Sequence, residues 1–216
     1  MAKYLRDISI WVSAEEKNAT NLALETNFLE VLYLDCLPKV ETGGIAKVVI
    51  RPRRTVVDEA LKLMINPNVI HFSKEFDFEK YDGGEKQARK RMALDFLQSS
   101  LMEVAQLKMW NCNPFLKAYD AVLARNLVNE RPWGKPVMGP KRIKAQPWCN
   151  YDSDKAEIYV AFFKGTKLFG KVWLADVQPG DVWINEAVGK LEWESEEYVK
   201  LTSRDGLSSW CCKAPV

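Results

Sequence analysis

Histidine is the scarcest reactive side chain here. His71 is the single one, so centres built from several histidines are excluded, and any Ser-His-Asp or Cys-His relay has to pass through it. It stands in Asn68-Val69-Ile70-His71-Phe72, a short strand pattern in which a packed or surface histidine is the ordinary reading. The cysteines, at 36, 112, 149, 211 and 212, are odd in number and contain no Cys-x-x-Cys pair. That usage fits free thiols in a reducing cytosol better than a disulfide framework or a zinc site. Cys211 and Cys212 adjoin, and vicinal thiols take soft metals or oxidants only when their pKa is depressed; an unreactive tail is the simpler reading. The phosphate loop Gly-x-x-x-x-Gly-Lys-Ser/Thr, the Gly-x-Gly-x-x-Gly turn, the Gly-x-Ser-x-Gly elbow and His-Glu-x-x-His are all missing, and no cofactor is expected. A carboxylate pair acting as acid and base stays open, since Asp and Glu number 29 and spacing selects no pair among them.

The charged residues are more suggestive than the nucleophiles. Arg51, Arg53 and Arg54 cluster at the end of an apolar run, as an anion patch or a solvated turn. Lys86, Arg89 and Lys90 fall in the first turns of a long helix, where a cation costs about 0.3–1 kcal/mol at an exposed end. Something has to offset them: Asp77, Glu79 and Asp82 nearby, or a bound anion or acidic partner. Between 131 and 151 there are four prolines and no Asp or Glu. In that stretch Lys141, Arg142 and Lys144 stand among Trp133, Trp148 and Tyr151, the mixture with which single-strand binders stack bases and track phosphates. Between Asp176 and Glu197 the balance reverses, with seven acids against Lys190 alone. Asp181, Trp183, Glu192, Trp193, Glu194 and Glu196 therefore form the candidate partner-binding set, acids to steer a basic partner and rings to anchor it.

The elements that must carry these residues are readable from periodicity. From Glu85 to Leu107 apolar residues recur at helical spacing without Pro or Gly, on an arc wide enough to be buried against more than one neighbour. Asn113 and Pro114 then suit the N-cap and first turn of a second helix running to about Asn126, and the short connection makes the two an antiparallel pair. Residues 4–12 alternate as a strand, 14–24 read as a short helix, and 28–37 read as a strand in hairpin with 45–50. A short helix is expected over 56–65 and an edge strand or ordered loop over 69–81. The clearest hairpin is 157–163 with 167–174, after which Val182–Asn185 continues the β pattern. The expected fold is α+β, antiparallel sheets packed against a central antiparallel helix hairpin, as one domain over 1–216 with a proline-rich basic connector at about 131–151.

At whole-chain level, 47% hydrophobic and 28% charged residues are ordinary for a globular protein. A net charge of +2 is too small for wholesale polyanion binding, so any nucleic-acid role has to rest on a local patch. The first residues lack the apolar core of a signal peptide, and no apolar run approaches the ~18 residues of a membrane span. A cytoplasmic protein without membrane contact is expected. The order of early strands, central helix pair (86–107 and 114–124) and late Trp-rich strands resembles that of some immunity proteins of bacterial polymorphic toxins. The resemblance covers layout and no diagnostic motif. It implies a non-catalytic protein that neutralises a cognate toxin by binding it, and eight Trp and seven Tyr are at hand as anchors. The alternatives are a small nucleic-acid-associated protein using the 131–151 stretch, and an enzyme with a carboxylate site.

Overall fold

The computed structural model describes residues 2–13, 20–56 and 62–215. Contacts gather the chain into two compact units, Met1–Leu127 and Val128–Val216, and no strand pairing crosses from one to the other among the described residues. Both α and β structure are present, with several antiparallel sheets.

In the first unit the sheet is built on β2 (Asp7–Ile10), β4 (Lys47–Arg53), β6 (Val69–Glu75) and β5 (Leu63–Asn66), in the order β2-β4-β6-β5. Ile8 and Ile10 alternate inward as their spacing predicts, and Val48, Ile50, Ile70 and Phe72 join them in the core. Antiparallel pairing is the sequence expectation, yet β2, β4 and β6 run parallel. Parallel neighbours need long returns, and the chain provides them: helix α1 (Thr20–Cys36) and strand β3 (Glu41–Gly44) lie between β2 and β4, and β5 between β4 and β6. β3 pairs instead with β1 (Ala2–Tyr4). β6 is thus an interior strand, where an edge strand or loop is expected. The helix expected over 56–65 is also corrected, because Leu63–Asn66 is a strand that turns at Pro67-Asn68 and pairs back on β6; residues 57–61 lie outside the described residues.

The largest correction is α1. The run expected as strand over 28–37 is helix as far as Cys36, so it forms no hairpin with 45–50. Phe28, Leu29, Leu32 and Tyr33 are fully buried at helical intervals, an apolar run too dense for alternation to tell the two periods apart. Of the helix expected over 14–24, residues 14–19 lie outside the described residues and Thr20 onward is helical. Two polar groups fix α1. The buried Glu30 carboxylate accepts from the Ile10 N–H at 2.7 Å, closing the end of β2. The Tyr33 hydroxyl lies 2.5 Å from Gln98 Oε1 and 3.1 Å from the Phe115 carbonyl, and burial pushes its pKa well above the ordinary phenol value.

Those two partners belong to helices α3 (Lys86–Leu107) and α4 (Asn113–Ala124), which form close to where periodicity places them. α4 begins at Asn113 itself, whose N–H is taken by the Asn111 side chain at 3.0 Å. α3 buries Leu94, Phe96, Leu97, Leu101 and Val104 and touches α1, α4, β6 and the short helix α2 (Phe78–Asp82), which explains its wide apolar arc. Phe96 ends an aromatic chain through Phe76 to Phe78 and Tyr81, with centroids 4.8–5.5 Å apart.

The second unit is mainly β. A five-stranded sheet runs β11 (Lys167–Val177), β10 (Ala156–Lys164), β9 (Ile143–Tyr151) and β7 (Asn129–Pro132), with β8 (Val137–Met138) also on β9. The hairpin β10–β11 turns at Gly165-Thr166, Gly165 at φ +62°, as its sequence indicates. Much of the proline-rich stretch is therefore strand rather than irregular connector. Pro147 is tolerated inside β9 because it falls between the end of the β7 ladder at Pro132–Trp148 and the start of the β8 ladder at Val137–Ala145. No donor is needed there, and its carbonyl still accepts from the Trp133 N–H at 2.9 Å. Residues 182–185, expected as strand, belong to helix α5 (Asp181–Ala187). Three strands close the unit, β12 (Lys190–Trp193), β13 (Tyr198–Thr202) and β14 (Ser209–Lys213), antiparallel in that order.

Candidate functional site

Helix α5 is two-sided. Ile184 and Ala187 are buried, while Val182 is 76% exposed and Trp183 52% exposed. Asp181, at the first turn, is exposed with them. Farther along, Asn185 and Val188 line a cleft of about 710 Å³ made within the second unit, together with Arg131, Pro132, Trp133, Gly134, Lys135, Val137, Pro147, Gly189, Lys190, Leu191 and Arg204.

That cleft opens in the gap between β7 and β8. Between the two ladders the Trp133 N–H still bonds the Pro147 carbonyl at 2.9 Å and the Gly134 carbonyl accepts from Gln146 Nε2 at 3.1 Å, and Trp133, Gly134 and Lys135 form one wall. Trp133 is held in place from two sides: its Nε1 donates to Asn185 Oδ1 at 2.9 Å, and the Arg131 guanidinium lies 4.5 Å from its ring centroid. Such stacking is worth about 0.5–2 kcal/mol. The opposite wall exists because Gly189 has no side chain. A Cβ there would fall 2.4 Å from the Thr202 carbonyl oxygen and 2.7 Å from Arg204 N, and this close approach brings Arg204 and Lys190 to the same opening. The lining carries four cations and no carboxylate. Glu192 reaches Lys190 at 2.6 Å. Asp205 and Glu186 are turned to the β13–β14 turn: Asp205 accepts from Ser203 Oγ at 2.6 Å and the Leu207 N–H at 2.9 Å, and Glu186 from the Asp205 N–H at 2.9 Å. The surplus of positive charge beside an aromatic wall suits an anion that also has an apolar part.

The acidic set is dispersed by comparison. Asp181 and Trp183 sit on α5, Glu192 and Trp193 on β12, Glu194 and Glu196 in the turn after it. Sequence distance hides their counter-charges, because strand pairing delivers Lys200 to Glu194 at 3.2 Å and Lys213 to Glu197 at 2.9 Å. The hydrogen bond from Lys200 holds Glu194 below its ordinary pKa. Asp176 pairs with Lys155 at 2.9 Å. Trp193 is half-buried, its ring edge-on to Phe162 at 6.2 Å and so close over Gly139 that a Cβ there would fall 2.1 Å from it.

The basic candidates also meet partners. Arg89 makes a two-point contact with Glu25 at 3.0 Å and donates to the Gly84 carbonyl at 3.1 Å, so its counter-charge comes from α1 rather than from Asp77, Glu79 or Asp82. Lys90 lies 5.1 Å from the Phe28 ring centroid, and Lys86 is exposed at the helix start. Lys141 and Arg142 form an exposed 3-10 turn before β9, both at positive φ. Lys144 packs over Phe163 at 4.2 Å. Lys141 lines a shallow hollow with Lys164 and Lys167, not the cleft. His71 Nδ1 is 3.0 Å from the Arg51 guanidinium; burial and then the Arg51 charge lower its pKa.

Arg204, Asn185 and Gly189 escape sequence reasoning. A lone glycine between a helix and a strand is visible at 189, but nothing in the chain order says what presses on it. Among the described residues no three of His, Cys, Asp and Glu gather as metal ligands, and no helix is long and apolar enough to cross a membrane. No protein-family model, curated protein or solved structure matches the chain.

Proposed function

We propose that this protein acts by binding a partner protein rather than by catalysis, and that the partner docks on the outward side of α5. The observation that carries this reading is the exposure of Val182 and Trp183 beside Asp181 on one helix turn. Tryptophan on a rigid element is the commonest kind of interface anchor, and truncating one costs about 2–4 kcal/mol where it fills a partner's pocket. In keeping with the layout resemblance to immunity proteins, the partner is a cognate bacterial toxin, held inactive in the cytoplasm. The pairing of α3 with α4 as a helix hairpin packed on the first unit's own sheet through β6 belongs to the same reading. The interface is narrower than the acidic set foreseen from sequence, since Glu192 and Glu194 are engaged by Lys190 and Lys200 and Trp193 is packed within its own unit.

The test is surface-binding kinetics against the purified product of a toxin-like neighbouring reading frame. Trp183→Ala is expected to raise the dissociation rate about 30-fold or more, with thermal stability unchanged. Leu207→Ala, at the exposed β13–β14 turn, is the control and leaves both rates alone. Wild-type dissociation in Trp183→Ala would remove α5 from the interface.

A further inference from the structure

We infer that the cleft of the second unit binds a nucleotide unit, its phosphate held by Lys135, Lys190 and Arg204 and its base against the Trp133 wall and the apolar floor of Pro147 and Val188. This site is separate from the outward side of α5, and nothing in the partner-binding reading requires it.

Three features lead to this chemistry. The first is charge. Every ionisable side chain in the lining is cationic, and of the three assigned to the phosphate Lys190 also pairs with Glu192. Lys135 and Arg204 are exposed at the opening, so phosphate oxygens reach them without burying an unpaired charge. The second is the rest of the lining. Bare phosphate needs no aromatic or apolar surface, yet Pro132, Trp133, Val137, Pro147, Val188 and Leu191 occupy the walls. A flat heteroaromatic ring uses such a surface, and stacking on an aromatic side chain contributes about 1–3 kcal/mol per base. The third is pre-organisation. Trp133 is fixed by Asn185 and by Arg131 before any ligand arrives, and Gly189 lets the backbone entering β12 lie against that of Thr202 to Arg204. A volume of about 710 Å³ lies in the range of small-ligand and cofactor sites, with room for more than an inorganic anion. The unit comes either as a free nucleotide or as one residue of a single strand, and both present the same ring and phosphate.

Calorimetry on the full chain at low salt separates these cases, with adenosine 5′-triphosphate, a thymidylate 12-mer and sodium pyrophosphate as probes. We expect one of the two nucleotide probes to bind at least about tenfold more tightly than pyrophosphate. Binding of the triphosphate marks a free nucleotide as the ligand, and binding of the 12-mer alone marks a single strand. Arg204→Ala and Lys135→Ala, both surface changes, are each expected to weaken binding about tenfold. Asn185→Asp keeps the acceptor for Trp133 Nε1 while placing an anion in the cleft, and is expected to weaken it at least as much. Lys164→Ala with Lys167→Ala, on the separate hollow, leaves affinity unchanged. The assignment falls if neither nucleotide probe binds, if pyrophosphate binds as tightly as they do, if the cleft variants bind like wild type, or if the Lys164 and Lys167 pair weakens binding equally.

Discussion

Gly189 is the residue on which the second unit's geometry turns, because the backbone of Thr202 to Arg204 occupies the place where a side chain would begin. Gly189→Ala is therefore expected to lower stability by about 1–3 kcal/mol, the usual cost of forcing extra volume into a packed contact, read as a shift in the urea midpoint. The cysteines show the opposite case, residues whose neighbourhood removes a reactivity that their spacing hints at. Cys211 and Cys212 are consecutive in β14 rather than in a frayed tail, so their side chains point to opposite faces, one exposed and one buried. The hydrogen bond to Glu194 raises the Cys211 pKa, and burial pushes Cys212 to about 11. Neither is a ready thiolate at neutral pH. Titration with a disulfide reagent at pH 7 is expected to label Cys211 first but more slowly than free cysteine, and to reach Cys149 and Cys212 only on unfolding. Fast labelling of both vicinal thiols in the folded protein would contradict this. Composition revealed the clusters of like charge, while their neutralisation was hidden, since Lys200 and Lys213 reach the acids of 192–197 through antiparallel register.

At the scale of elements, α3 was legible because 22 residues without a breaker show one period clearly, whereas only the start of α1 was, because from Phe28 an apolar run with aromatic and β-branched members fits either period. The basic face of 131–151 was legible as composition only. Its three charges at 141, 142 and 144 point elsewhere, and the cleft takes Arg131, Trp133 and Lys135 from the same stretch. α3 also joins helix and sheet electrostatically, and this can be tested. Glu103 accepts from Lys62 at 2.8 Å and from Lys74 on β6 at 3.3 Å. Burial alone would raise its pKa, but the two lysine hydrogen bonds outweigh it and hold the carboxyl below its ordinary value of 4.5. A carboxylate with a depressed folded pKa contributes fully above its unfolded pKa and loses that contribution as pH falls through the folded one. Glu103→Gln should accordingly melt below wild type at pH 7, with the gap closing as both are taken below about pH 4. A gap that is constant with pH would mean that the charge is not what matters. Phe96→Ala tests the packing of the same helix: losing a ring that contacts Phe76 at 4.8 Å should cost about 3–5 kcal/mol in denaturant stability.

For the whole molecule, length and average composition describe one globular chain, and neither quantity registers where contacts concentrate. In the structure each sheet draws all its strands from one side of Leu127 and Val128. The second unit has its own buried set, with Ile158, Val160, Phe162 and Ala145 in the large sheet and Leu191, Val199 and Leu201 in the small one. It also contains the whole cleft and the exposed side of α5. A domain needs a core of its own to fold alone, and this segment meets that requirement. The fragment 128–216 is thus expected to unfold cooperatively in urea by circular dichroism and tryptophan fluorescence, with coincident transitions. Gly189→Ala should lower the midpoint of the fragment as it does that of the full chain. Phe96→Ala, made in the full chain, supplies the complement: its effect should appear in the transition that the fragment lacks. If the fragment shows no cooperative transition, its sheets do not hold themselves together, and the chain folds only as one body.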